Sequence, residues 1–105
     1  MNIEIDFDKR INVSDPGTII ETFSSKWEEC FILTRNENEF IQVLREENGF
    51  FHLEYKSENV LKEASTRLDF HSVLSALIVF YHNNPKIKEI VSWKDVEQKP
   101  WWKFW

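Results

Sequence analysis

Cysteine, glycine and proline are all scarce in this chain of 105 residues, which holds one Cys, two Gly and three Pro. A lone thiol closes no internal disulfide, so the fold must rest on a packed core rather than a covalent framework. Cys30 opens the apolar run Cys30-Phe31-Ile32-Leu33 and reads as a buried small hydrophobe, which suits a reducing, cytoplasmic setting. Two glycines leave no Gly-rich loop to cradle a phosphate, and neither a Ser-centred elbow nor a zinc knuckle is present. No run approaches the roughly 18 apolar residues of a membrane helix, and Met1 to Arg10 lacks the apolar stretch of an export signal. Positive charge is also in deficit, with 13 Lys and Arg against 18 Asp and Glu, a net charge of −5, and no basic run. Nucleic acid and anionic membrane are poor partners for such a chain, whereas a basic protein is favoured electrostatically.

What is present describes an ordinary folded domain, 42% hydrophobic and 30% charged, long enough for one core. Asn2 to Phe7 alternates, with Ile3, Ile5 and Phe7 on one side, and Ile11 and Val13 keep the parity of a half-buried strand. Ser14-Asp15-Pro16 is a helix start, and Ile19, Ile20, Phe23 and Trp27 follow at helical spacing, predicting a helix over 16–25. Cys30 to Thr34 reads as a central strand. Asn48-Gly49 supplies two positive φ angles between Phe40 to Leu44 and Phe51 to Tyr55, predicting an antiparallel hairpin. Ser57-Glu58-Asn59 turns into a marginal strand from Val60 to Thr66. Asp69 caps a helix carried by Phe70, Val73, Leu74, Leu77, Phe80 and Tyr81, which Asn83-Asn84-Pro85 ends. Glu89 to Val96 reads as a last strand. The expected fold is therefore α+β in two layers, an antiparallel sheet of about five strands with two helices on one face. Residues 1–98 form one domain, and 99–105 form an aromatic tail.

Catalytic and metal chemistry finds little support in the spacing. His71 and His82 are eleven residues apart on one helix, about 16 Å at the helical rise, too far to share a metal ion. His52 alternates with Phe51 and Leu53, placing it with Glu54 on the helix-free side of a strand. His52, Glu54 and Tyr55 make the one polar cluster worth naming for a small-ligand pocket between sheet and helix. A reactive thiolate needs an electropositive, accessible setting that Cys30 lacks. No catalytic residue, cofactor or metal ligand is expected. The carboxylates Glu37, Glu39, Glu46, Glu47 and Glu58 sit in turns, where charge is the solvated choice and where it could also steer a basic partner.

The tail is unusual, because Trp101, Trp102, Phe104 and Trp105 make four of the last five residues aromatic. Each ring can bury about 150–250 Å², so something should cover them. The tail can fold back on the core, enter an interface with a partner protein or a second copy of the chain, or, less well given the net charge, meet a lipid surface.

From Cys30 to Val96 the chain resembles a group of small bacterial proteins similar to the immunity proteins that neutralise polymorphic or contact-dependent toxins. The resemblance rests on Phe40-Ile41-Gln42, Asn48-Gly49-Phe50, Leu53-Glu54-Tyr55, the capped helix through Phe80-Tyr81, and Trp93; the segment after Gln98 lies outside it. It implies a stoichiometric inhibitor whose acidic loops meet a basic toxin surface without turnover. The expected function is a cytoplasmic protein-binding module of this kind. The alternatives are a small-ligand binder or enzyme with a sheet-helix pocket, and a self-associating protein joined through the aromatic tail.

Overall fold

Alternation of apolar and polar residues builds a seven-stranded sheet in the computed structural model, which describes residues 1–96. In chain order the elements are β1 (Asn2–Ile5), β2 (Lys9–Asn12), α1 (Pro16–Ser25), β3 (Cys30–Asn36), β4 (Glu39–Arg45), β5 (Phe51–Ser57), β6 (Val60–Ala64), α2 (Phe70–Tyr81), α3 (Ile87–Ile90) and β7 (Trp93–Asp95). Across the sheet they lie β2-β1-β3-β4-β5-β6-β7, and every neighbouring pair is antiparallel. The α+β class is as expected, with two more strands than the five or so expected and a third, one-turn helix. No helix among the described residues is long and apolar enough to cross a membrane.

One face of the sheet carries the core. Ile5, Phe31, Val43 and Leu53 stand in one cross-strand row, and Ile3, Leu33, Ile41 and Tyr55 in the next. Against them pack Ile19 and Phe23 of α1 and Val73, Ala76, Leu77 and Phe80 of α2, all in a single cluster. Each large side chain removed from water here stabilises the fold by about 1.5–3 kcal/mol. Phe23 is the aromatic hub, stacked on Trp27 at 5.3 Å and Phe70 at 5.1 Å and edge-on to Phe31 at 5.3 Å. The Trp27 indole donates to the Phe23 carbonyl at 2.7 Å, so its one polar atom is satisfied inside the core.

Both long helices begin as their sequences predict. The Asp15 carboxylate accepts from the Thr18 N–H at 3.0 Å with Pro16 in the first turn, and Asp69 accepts from the Ser72 N–H at 2.8 Å. Each bond satisfies a donor that the helix cannot. At the far end of α2, Arg35 donates to the Phe80 carbonyl, lies over the Phe80 ring at 4.4 Å and pairs with Glu39 at 2.8 Å. A register shift between Thr34 and Asn36 leaves Arg35 without a cross-strand partner and aims it there.

Three expectations need correction. The first segment is a hairpin rather than one strand, because Asp6 (φ 52°) and Phe7 (φ 65°) both turn left-handed. Phe7 therefore leaves the buried side of Ile3 and Ile5 and is 64% exposed at the turn tip. What holds the turn is Asp6, whose carboxylate accepts from the backbone N–H groups of Glu28, Glu29 and Cys30. The last strand is only Trp93–Asp95, since Ile87 and Val91 are both buried at helical spacing and draw the preceding residues into α3. Finally, Asn48 and Gly49 do take positive φ, but inside a 3₁₀ turn closed by the Phe50 N–H on the Glu47 carbonyl, and the Glu46 N–H on the Phe50 carbonyl closes the loop around it, so the connection runs from Glu46 to Phe50.

Candidate functional site

The second face of the sheet has no helix against it among the described residues. In the pleat it receives every residue that alternates with the core set: Glu4, Ile32, Gln42, Glu54, Glu63 and Lys94 form one row from β1 to β7. A second row runs Thr34, Phe40, Lys56 and Leu61, and a third holds Cys30, Leu44 and His52. Ile32, Phe40, Leu44 and Leu61 are half-buried yet lie outside the core cluster, so this face mixes apolar side chains with charges of both signs.

Cys30 is the buried member of the face, fully enclosed at the start of β3. Desolvation first, and then the nearby carboxylates of Asp6, Glu4, Glu54 and Glu29, push its thiol up to about 11. Burial and these charges favour the thiol over the thiolate, the reactive form. Asp6 beside it moves the other way: the backbone N–H groups of Glu29 and Cys30 hold its carboxyl below the ordinary value.

On the β5–β6 side of the face, His52, Glu54 and Glu63 converge. The His52 Nε2 is 3.4 Å from Glu54 Oε1 and 3.5 Å from Glu63 Oε2, and one donor atom from each residue lies within 4.8 Å of the other two. Lys94 reaches the second oxygen of Glu63 at 3.4 Å. Among the described residues this is the one trio of His, Cys, Asp or Glu side chains close enough to hold a metal ion. His52 and Glu54 sit on the helix-free face as their spacing predicts. Glu63 comes from the next strand, and sequence reasoning missed it. The signal lay in the turn: Glu58 and Asn59, both with positive φ, make a two-residue loop that pairs Ser57 with Val60. Counting three residues back and three on sets Glu54 opposite Glu63.

The expected cluster of His52, Glu54 and Tyr55 does not form. Strand alternation sends Tyr55 to the core face, where it packs on Phe80 at 6.0 Å and Trp93 at 5.4 Å. The concavity between sheet and α2, lined by Arg35, Tyr55, Ser57, Glu58 and Asn83 among others, has a volume of about 180 Å³. That is small beside the roughly 300–1,000 Å³ of small-molecule sites, although the adjoining open depression at Glu39, Glu58 and Asn83 measures about 550 Å³. The one guanidinium of the concavity is already engaged with Glu39 and Phe80.

The five carboxylates expected in turns separate into two groups at opposite ends of the strands, with Glu39 opening β4 rather than sitting in a turn because it pairs with Asn36 of β3. Glu37, Glu39 and Glu58 belong to the β3–β4 and β5–β6 ends, where Glu39 and Glu58 share a polar depression with Asn36, Asn38, Asn59 and Asn83. Glu39 is bound by Asn36 and Arg35, and these two bonds hold its carboxyl pKa below the ordinary value. Glu46 and Glu47 lie at the β4–β5 end, where Glu46 pairs with Arg67 at 2.7 Å. Trp101, Trp102, Phe104 and Trp105 lie outside the described residues. Set against protein-family models, curated proteins and solved structures, the chain shows no significant match to any of them.

Proposed function

We propose that the protein is a small cytoplasmic protein-binding module of the toxin-neutralising, immunity type, and that it receives a basic partner on the helix-free face of its sheet. The observation that carries this reading is the set Ile32, Phe40, Leu44 and Leu61. These four apolar side chains stand on a broad, regular face, are half-buried, and contribute nothing to the core. An apolar centre within a charged rim is the usual anatomy of a specific interface. Here the rim is acidic at both strand ends, with Glu37, Glu39 and Glu58 on one side and Glu46 and Glu47 on the other. Such a rim steers a basic partner and speeds its arrival, while the apolar centre holds it. The net charge of −5 favours the same kind of partner.

The test is growth rescue in cells expressing a toxin whose gene neighbours this chain's own, and a genome without such a neighbour removes the immunity reading. Wild-type protein restores growth, and the face variants Phe40→Asp and Leu61→Asp, checked for an unchanged circular dichroism spectrum, lose rescue. Failure of the wild type to neutralise that toxin removes the immunity reading. Full rescue by both folded variants places the contact elsewhere.

A further inference from the structure

We propose that His52, Glu54 and Glu63 form a divalent-cation site on the open sheet face, with zinc as the fitting ion. Zinc takes imidazole nitrogen and carboxylate oxygen at about 2.0–2.2 Å in tetrahedral geometry, which spaces neighbouring ligand atoms roughly 3.3–3.6 Å apart. The two separations from His52 Nε2, 3.4 Å and 3.5 Å, fall on that edge length. They are longer than the roughly 2.7–2.9 Å of a close charge-assisted bond, and without an ion the 3.4 Å contact to Glu54 is a long hydrogen bond. The imidazole thus stands nearly equidistant from the two carboxylates.

A second observation concerns charge. Glu54 and Glu63 are directly opposed on paired antiparallel strands, an arrangement that is destabilising for like charges. A dication between them turns that repulsion into ligation, and neutral His52 with two carboxylates balances its charge. Lys94 holds the second oxygen of Glu63 and leaves Oε2 directed at His52, the role of an outer partner that orients a ligand. The three ligands sit on adjacent hydrogen-bonded strands, so the backbone fixes their spacing. Their donor set of one imidazole and two carboxylates suits zinc better than magnesium or calcium, which prefer all-oxygen shells. Three protein ligands leave the fourth position to water on the exposed side.

Isothermal titration of the full chain with zinc chloride tests the site, alongside long-range ¹H–¹⁵N spectra of the imidazoles. One equivalent binds, the Nε2 resonance of His52 moves, and those of His71 and His82 stay. His52→Ala and Glu63→Gln each weaken binding at least about tenfold, while a His71→Ala/His82→Ala double variant binds as wild type. Because the side chains of His52 and Glu63 are 25% exposed and outside the core cluster, these variants keep the fold, which their melting curves verify. No uptake at millimolar zinc overturns the site, as does uptake unaffected by His52→Ala. The probe is zinc alone, so the result is independent of whether this face meets a partner protein.

Discussion

Asp6 shows how much a single side chain can organise. Its carboxylate collects three backbone N–H groups from the start of β3, fixing the β1–β2 turn against the strand that β1 must pair with. Those bonds favour the ionised form, and its pKa falls below the ordinary 3.8. A carboxyl lowered on folding contributes stability in full above its unfolded value and loses it as pH drops through the folded value. Asp69, lowered by the Ser72 N–H and hydroxyl, and Glu39 act in the same sense. Acid unfolding should therefore set in below about pH 4, a consequence of these shifts. Urea denaturation of wild type and Asp6→Asn at neutral pH and again near pH 2 checks the cause. The wild type is the more stable at neutrality, and the gap narrows in acid; a gap of constant size would mean that the Asp6 charge is irrelevant.

The elements themselves differ in how openly the chain announces them. Both long helices are written out by a capping aspartate, an apolar stripe and, for α2, a terminal Asn-Asn-Pro. The β4–β5 pair follows from Asn48-Gly49. The β1–β2 hairpin is hidden because its left-handed turn residues are Asp and Phe, neither of which carries the usual Gly or Asn-Gly signal, so alternation alone reads straight through. Only the long-range bonds to Asp6 explain the bend. For the open-face trio, the shared face of His52 and Glu54 was legible from alternation, and the approach of Glu63 required the β5–β6 register. Phe7 gives this scale its prediction. A non-glycine residue in the left-handed region costs about 1–2 kcal/mol, and Gly returns some 0.5–1 of that as unfolded-state entropy. With its ring 64% exposed, Phe7→Gly should stabilise the domain by about 0.5–1 kcal/mol, read as a higher midpoint in chemical denaturation. A lower midpoint would show that the ring packs on something.

Across the whole molecule, stability is graded from the middle of the sheet outward. β3, β4 and β5 have seven residues each and pair along nearly their full lengths, whereas the edges β2 and β7 have four and three. Local opening follows burial and pairing, so amide hydrogens of Leu33, Ile41, Val43 and Leu53 should exchange slowest, and those of β2 and β7 at least an order of magnitude faster. Hydrogen exchange resolved by residue checks this, and uniform protection across all seven strands would contradict it.

The brevity of those margins has a further consequence. A long bare strand at the rim of a sheet invites another chain to add itself, the first step toward fibres. This sheet ends on Lys9-Arg10 at one rim and Lys94-Asp95 at the other, with too few open backbone groups at either to template a neighbour. Among the described residues a broad β surface can thus stand free of helix while the short margins give little purchase for growth sideways.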